Sequence, residues 1–243
     1  MKEILLDIVK HVNNVDGLTF ARIKGSEQGT TIETAKLPTK NVILLGDFNK
    51  HIPEFDGEFG LGNIDFLNNI LNLPDYDEEC NISVINDKED DLKGLTIENS
   101  SGSVDKYSFI SKKLLDQMLP VISFKGAKWD ITFEPTKLAV SHLSAFANAY
   151  SNNEKIFSVY TEKNNLVFKC GSLDSNGGTR IFAKDVGYSM KQSWSWQISP
   201  ILQVLKLGLS GHCVCSLSDQ GVFMISVDSG VCTYKYYFPA DHV

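Results

Sequence analysis

The sequence predicts an α+β protein built from two similar halves. Its 243 residues place apolar and polar positions in the same order twice: a helix, three strands, a short helix and three more strands. Runs of antiparallel strands separated by single helices are typical of α+β folds, in which the helices cover one face of the sheets. A hydrophobic content of 42% supplies enough apolar side chains for a core. We therefore expect two domains with the same layout.

The first half opens with an amphipathic helix. Between residues 2 and 15, apolar side chains such as Leu5, Ile8 and Val12 recur at helical spacing on one side. A second, shorter helix is predicted over 64–73, where the same spacing returns. Strands are predicted over 18–24, 30–36, 42–48, 82–85, 95–98 and 104–110.

The middle of the chain, residues 111–128, is rich in lysine and has no clean apolar period. We interpret this stretch as a connector between the two halves. The second half then repeats the first, with a helix predicted over 135–150. Its strands are predicted over 129–133, 156–161, 166–171 and 179–183.

Residues 194–243 close the chain with a helix and three strands. Ser199 is the predicted N-cap of the helix, Pro200 its first residue, and Gly208 lies near its end. Turn-like segments separate the strands, which are predicted over 212–218, 221–227 and 231–238. No nucleophile, base or metal-ligand set stands out here, so this stretch is expected to act through its shape and surface.

The charge of the chain limits how it could bind nucleic acid. Lys and Arg number 23 against 30 Asp and Glu, which gives a net charge of −7. Phosphate contacts need local positive charge, so any DNA-binding surface must gather lysines on one face. Arg22 and Arg180 are the only arginines, and bidentate reading of bases is therefore not expected. Any contact with DNA should be independent of sequence.

The N-terminus and the cysteines indicate the compartment. Residues 1–12 carry Glu3, Asp7 and Lys10 and do not read as a signal peptide. The longest apolar run, 42–45, is far too short to cross a bilayer. The number and spacing of the five cysteines are not typical of a disulfide framework. We expect a soluble, cytoplasmic protein with no membrane partner.

One short string favours an enzyme. Gly46-Asp47-Phe48-Asn49 resembles the strand-end metal motif of the DNase I-like endonuclease/phosphatase family, and Asp241-His242 resembles that family's terminal pair. The alternative function is thus a metal-dependent phosphodiesterase using Asp47, Asn49 and His242, with the histidine as general base. The layout argues against it, because that family places well over a hundred residues before the string. Here only forty-five precede it.

Two other motifs are better explained structurally. Cys213 and Cys215 fall on one strand face beside His212. A structural zinc site needs four ligands, however, and the sequence has no second cluster of ligand residues. Residues 171–178 are rich in glycine, yet they lack the spacing of a phosphate-binding loop and precede a strand. We therefore predict no metal and no cofactor.

Three segments resemble replication sliding clamps. Residues 230–240, which read Gly-Val-Cys-Thr-Tyr-Lys-Tyr-Tyr-Phe-Pro-Ala, are similar to the last strand of these clamps, typically Gly-x-x-x-x-x-Tyr-Tyr-Leu-Ala-Pro. Residues 166–178 look like a clamp strand followed by its Gly/Asn-rich loop. The early helix and residues 60–67 resemble the trimeric clamp of T4-like bacteriophages. Phe238-Pro239-Ala240 departs from the usual order of Leu-Ala-Pro.

The resemblance implies a fold and a function. The fold would be two processivity-fold (DNA-clamp) domains, 1–115 and 129–243, joined by a connector over 116–128, with antiparallel sheets outside and helices on the inner face. The function would be that of a non-catalytic ring, a homotrimer that encircles double-stranded DNA and tethers the replicative DNA polymerase for processive synthesis. An ATP-dependent clamp loader would be a further partner, and a phage protein would act in the infected bacterial cell. A structural or adaptor protein on the clamp fold is the third possibility.

Site residues follow from the resemblance and from the polar faces of the predicted helices. Small polar groups and lysines suit an inner face that must contact DNA weakly enough for the protein to slide. The DNA-facing set is Lys10, His11, Asn14, Lys137, Ser141, Ser144, Gln203 and Lys206. The resemblance also implies an apolar partner-binding pocket beside the connector and the last strand. Its predicted residues are Leu44, Leu45, Leu119, Val121, Phe238 and Pro239.

Overall fold

The computed structural model divides into two compact units of helices and antiparallel sheets. It describes residues 1–39, 41–77, 80–86, 92–119, 122, 126–152, 154–174 and 176–240. The first unit comprises the described residues within Met1–Leu37, Leu44–Ser123 and Ser229–Tyr234. The second comprises those within Pro38–Ile43, Phe124–Asp228 and Lys235–Val243.

The described part of the first unit contains three helices, and two of them bury the apolar side chains that their spacing predicts. Helix α1, Lys2–Asn13, buries Leu5, Ile8 and Val12, as its period predicts. Helix α2, Ile64–Leu71, buries Leu67 and Leu71 in the same way. Helix α3, Lys112–Met118, buries Leu115 alone and lies in the stretch where the sequence predicted only a connector.

The strands described in the first unit form two sheets. In one sheet β4, β1, β2 and β3 lie in that order, with the start of β15 next to β3; the other has the order β5-β6-β7. The bounds are β1 Ala21–Ser26, β2 Gly29–Ala35, β3 Ile43–Phe48, β4 Gly57–Leu61, β5 Asn81–Asn86, β6 Leu92–Glu98, β7 Val104–Ser108 and β15 Cys232–Pro239. Strand β4 is absent from the sequence prediction. A single 3-10 turn, Pro53–Phe55, precedes it.

The second unit repeats this plan with helices α4, Lys137–Tyr150, and α5, Ile198–Gly208. One sheet has the order β11-β10-β9-β12, and in the other β14 lies beside β15, β13 beside β14 and β8 beside β13. The bounds are β8 Ile131–Phe133, β9 Ile156–Glu162, β10 Asn165–Cys170, β11 Gly178–Ala183, β12 Trp194–Gln197, β13 His212–Ser218 and β14 Val222–Asp228. The core is aromatic: Phe223 packs within 6.5 Å, between ring centroids, of Phe168, Trp196 and Phe238.

The start of α5 differs from the prediction. Its N-cap is Gln197, not Ser199, because the chain passes directly from β12 into the helix. Gln197 still pairs with Ile156 in the sheet, and the Ile198 N–H donates to the Lys155 carbonyl at 2.9 Å. The residue just before β9 thus supplies an acceptor for a backbone N–H that a capping side chain would otherwise provide.

Candidate functional site

The exposed side of α1 carries two of the three residues that the sequence assigned to it. Lys10 and Asn14 are exposed, and the Asn14 side-chain amide donates to the Lys10 carbonyl at 2.8 Å. That bond satisfies a carbonyl in the last turn, where no further helical N–H follows. The α1 surface therefore offers an ammonium group and an amide.

His11 is not part of this surface, and its assignment as DNA-facing is wrong. Its side chain is 1% exposed, and its ring stacks on Tyr234 with the centroids 3.9 Å apart and the planes 9° apart. Burial, assisted by the positive charge of Lys10, lowers the pKa of His11 to about 3. A neutral, covered imidazole is a packing group of the first unit and cannot contact phosphate.

Asp7 completes the packing around His11. Its carboxylate accepts hydrogen bonds of 2.8 Å from the Ser229 and Tyr234 hydroxyls and lies 3.8 Å from His11 Nε2. Burial raises the pKa of Asp7, although the two hydrogen bonds act in the opposite direction. These contacts tie α1 to the segment 229–234, which enters the first unit from the far end of the chain.

Helix α4 presents Lys137 and Ser141 to solvent, as predicted. Its first turn is capped by Thr136, whose hydroxyl oxygen accepts from the Ala139 N–H at 3.1 Å. Ser144 is a correction: its hydroxyl oxygen is buried and has no hydrogen-bond partner within the described residues. The Ser144 hydroxyl therefore lies under the surface, where DNA could not reach it.

A groove between α4 and α5 brings two of the predicted residues, Gln203 and Lys206, together. Its volume is about 640 Å³, and its lining includes Asn148, Gln203 and Lys206. Lys155 also lines the groove and was missed, because it lies in the loop between α4 and β9 and not on a predicted helix face. Two ammonium groups, those of Lys155 and Lys206, therefore line the groove together with three side-chain amides and the carboxylate of Glu154.

The predicted partner pocket is largely interior, which corrects three of its six residues. Leu44 and Leu119 are fully buried and Phe238 is 2% exposed, so they pack in the cores of their units. The Phe238 carbonyl accepts from the Trp196 indole N–H at 2.8 Å, and this hydrogen bond anchors β15 to β12. Leu45 is half-buried and Pro239 is exposed, whereas Val121 lies outside the described residues.

A buried arginine that the sequence did not single out holds α3 in place. Arg22, 1% exposed, places its guanidinium 2.9 Å from each of Glu33, Asp116 and the Leu119 carbonyl. Glu58 lies 3.5 Å away. Arg22 stands opposite Glu33 on β2 and Gly60 on β4, so the sheet itself sets the position of the charge.

Among the residues of the phosphodiesterase alternative, Asn49 has a structural role. The Asn49 side-chain amide donates to the Gly230 carbonyl at 3.0 Å, and its backbone N–H donates to the Val231 carbonyl at 2.9 Å. At Gly46 a Cβ would lie 2.6 Å from Ile32 and 2.9 Å from Cys232, so close packing explains the glycine of the string. His242 lies outside the described residues.

The described ranges contain no group of three or more His, Cys, Asp and Glu side chains placed to hold a metal ion. Cys215 is fully buried, and Cys213 is half-buried beside it. Nor does any helix in the described part of the chain have the length and apolar character needed to span a membrane.

Comparison with solved structures shows the PCNA-like clamp fold, a two-domain processivity fold, and confirms the predicted fold class. The whole chain matches 96% of A. fulgidus PCNA, in a structure that holds the C-terminal region of FEN-1, with a TM-score of 0.69 and 13% identity. The chain also matches, over 99% of its length and 96% of the other chain, PCNA from Entamoeba histolytica, with a TM-score of 0.66 and 14% identity.

A PCNA2–PCNA3 complex from Sulfolobus tokodaii matches over 98% of this chain and 96% of that one, with a TM-score of 0.67 and 9% identity. These structures are archaeal and eukaryotic clamps, not clamps of the T4-like phage type that the sequence resembles. No family model and no curated protein matches the sequence.

Proposed function

We propose that this chain is the subunit of a ring-shaped sliding clamp that encircles duplex DNA and tethers a DNA polymerase, without catalytic activity of its own. The observation that carries the proposal is the match of 98–100% of the chain to PCNA structures, each covered to 96%. Because the clamp structures match both units, nearly all of these 243 residues belong to the clamp fold and an added catalytic domain is not expected among them.

The helix surfaces support contact with a nucleic-acid backbone. Lys10 and Asn14 on α1, Lys137 and Ser141 on α4, and Gln203 and Lys206 around α5 give exposed or half-exposed donors without an exposed arginine among them. Lysines and small polar groups make screened or water-bridged phosphate contacts, which suit a protein that slides. Contact of this kind would be blind to sequence.

We also propose the remaining parts of this function. Residues 116–128 serve as the connector between domains 1–115 and 129–243, the ring is a homotrimer, and an ATP-dependent loader places it on DNA. The A. fulgidus structure, with FEN-1 bound to PCNA, supports the view that a clamp of this fold binds other proteins. For such a partner this chain offers exposed Pro239 and half-buried Leu45. The similarity of residues 60–67 supports a bacteriophage source.

The first test is the mass of the particle. Light scattering on the purified protein should give about three times the 27.0 kDa of one chain. A strictly monomeric protein at high concentration would contradict the ring.

The second test is topological retention. The protein is loaded onto nicked circular DNA with its loader and ATP, and the DNA is then cut once. We expect retention on the circle and rapid loss after linearisation, together with longer polymerase products on primed circles. A trimer that never remains on circular DNA would instead indicate a structural protein that uses the clamp fold.

A further inference from the structure

Two thiols lie in contact at the start of β13. Cys213 and Cys215 are alternate residues of this strand, so their side chains project from the same face. The two side chains hydrogen-bond to each other. A dithiol of this kind has chemistry that a single cysteine lacks, because an oxidation that begins at one sulfur can be completed by the other.

Solvent reaches the two thiols to different degrees. Cys213 is half-buried, whereas Cys215 is fully buried. The turn that leads from α5 into β13 is open, since Ser210, Gly211 and His212 are all exposed. A small solute therefore meets Cys213 at this turn, and Cys215 only by way of Cys213.

The surroundings also make the two sulfurs chemically unequal. The hydrogen bond with Cys215 lowers the pKa of the Cys213 thiol, against the opposite effects of burial and of the negative charge of Glu134. Burial raises the pKa of Cys215 well above its usual value, and the same hydrogen bond adds to that shift. The nucleophilic form of a cysteine is its thiolate. Cys213 is therefore the sulfur that attacks, and Cys215 is the protonated thiol beside it.

The strand must deform before the two sulfurs can bond. Two residues of an extended strand span about 6.4–6.8 Å, whereas a disulfide holds its Cβ atoms about 3.5–4.5 Å apart. Strand β13 must therefore shorten at Val214. Strand β8 pairs with β13 only at Cys215, Ser216 and Leu217, so β14 is the one described strand that is paired with Val214. A disulfide closed against such strain is easily reduced, which makes its formation reversible.

Cys213 is also in contact with the end of α5. A Cβ added at Gly208, the last residue of that helix, would lie 2.6 Å from Cys213 Sγ, so the sulfur packs directly on the helix backbone. Displacement of the sulfur must then shift the final turn of α5, which also contains Lys206. The oxidation state of the thiols is in this way coupled to the position of a helix end.

We propose that Cys213 and Cys215 form a peroxide-sensitive dithiol switch, which hydrogen peroxide closes to a disulfide and a dithiol reductant reopens. The Cys213 thiolate attacks one peroxide oxygen, the O–O bond breaks, and Cys213 becomes a sulfenic acid while hydroxide leaves. The Cys215 sulfur then attacks the sulfenic sulfur, and the displaced hydroxyl group leaves as water with the Cys215 proton. The hydroxide takes up the proton that Cys213 had released. Two thiols and one peroxide thus give one disulfide and two waters, and the switch does not depend on the proposed function.

Mass spectrometry of the full chain tests the switch. The reduced protein is treated with a small excess of hydrogen peroxide and then alkylated. We expect the wild type to lose two of its five free thiols. The peptide that contains Cys213 and Cys215 should become lighter by two hydrogen atoms and resist alkylation until dithiothreitol is added. Hydrogen exchange should also accelerate at Val214 and in the last turn of α5 on oxidation.

Three variants assign the roles of the sulfurs. Cys215→Ala removes the second thiol and should leave a sulfenic acid on Cys213 that dimedone captures, whereas Cys213→Ser should leave this peptide unoxidised. Cys80→Ser is the matched control, because Cys80 is also half-buried, and it should lose the same two thiols as the wild type. Circular dichroism confirms that each variant folds.

The wild type alone can overturn the switch, even where a variant fails to fold. Cys213 and Cys215 that both remain thiols while Cys80 is oxidised would contradict it. So would a Cys213 that proceeds to a sulfinic acid while Cys215 stays reduced. Each of these results concerns the thiols only and leaves the proposed ring to be judged by its own tests.

Discussion

Arg22 and Asp116, 94 positions apart in the sequence, form a 2.9 Å ion pair between Nη2 and Oδ1. The same guanidinium nitrogen donates to the Leu119 carbonyl, also at 2.9 Å. A charge on β1 thus fixes both an acidic side chain of α3 and the backbone just beyond it. Leu115 adds the apolar contact, since a Cβ at Gly60 would lie 3.0 Å from its Cδ1. Helix α3 is therefore held by Leu115 and Arg22, together with an ion pair of 3.3 Å between Lys112 on α3 and Glu58 on β4.

Replacing Arg22 should destabilise the first unit strongly. Arg22→Met leaves Glu33 and Glu58 without their buried counter-charge, and breaking a buried ion pair costs about 3–5 kcal/mol. Urea unfolding at fixed protein concentration measures the change. The control is Lys24→Met, which removes a more exposed partner of Glu33 and should cost at most about 1 kcal/mol. Equal, small losses in both variants would show that Arg22 does not hold α3.

His11 should make the fold sensitive to acid. Its pKa is about 3 in the folded protein and 6.5 when free, so the unfolded chain binds the additional proton first. The free energy of unfolding should therefore fall as the pH drops below about 6.5, by up to about 1.4 kcal/mol per pH unit, until the pH approaches 3. Asp7, whose pKa is raised, contributes with the opposite sign above its usual 3.8.

The variant His11→Phe separates these contributions. It keeps an aromatic ring against Tyr234 but cannot take up a proton, so its stability should depend less steeply on pH between 6.5 and 4. Chemical denaturation across this range gives both slopes. If the free energy of unfolding depended on pH equally in the wild type and the variant, folding would not lower the pKa of His11.

Phe238 and Pro239 should behave differently although they are neighbours. The Phe238 side chain is buried against Phe223, and a buried Phe→Ala substitution costs about 3–5 kcal/mol. Pro239→Ala changes an exposed residue and should stay within about 0.5 kcal/mol of the wild type. Pro239→Ala is therefore the variant with which to test partner binding, by measuring polymerase stimulation. A Phe238→Ala protein of normal stability would contradict the packing described above.

The exposed lysines should control the salt dependence of DNA binding. Lys137→Ala and Lys206→Ala each remove one phosphate contact under the proposed function. The slope of log K against log salt concentration should then become shallower by about one for each lysine. Fluorescence anisotropy with duplexes of two different sequences measures it, and both duplexes should respond equally. Lys163→Ala, in the hairpin between β9 and β10, is the matched control and should leave the slope unchanged.

The sequence predicted those elements whose side chains follow a regular period. Helices α1 and α4 and the three strands β13–β15 fall within a few residues of the predicted bounds, because alternation or helical spacing decides which face is buried. Helix α3 has no such period: only Leu115 is buried, and the rest of its attachment is ionic, through Arg22 and through the pair between Lys112 and Glu58. Strand β4 was missed because Gly57 and Gly60 interrupt its pattern, although close packing requires the second of them.

The site residues were harder to predict, for a related reason. A polar residue on a helix was assumed to face solvent, but His11 and the Ser144 hydroxyl are covered by parts of the fold that local spacing does not reveal. His11 stacks on a tyrosine more than two hundred residues away. Leu44, Leu119 and Phe238 show the converse: from sequence alone, an apolar residue near the end of a strand or helix fits a pocket and a core equally well.

Strand β15 gives residues 232–234 to the first unit and 235–239 to the second. During synthesis on a ribosome, the first unit therefore lacks part of its sheet until residue 234 has been made. Asp7 lacks its Ser229 and Tyr234 partners throughout that time. Nascent chains should consequently acquire protease resistance late and in a single step, and trimming the chain from its C-terminus should weaken the unit that was translated first.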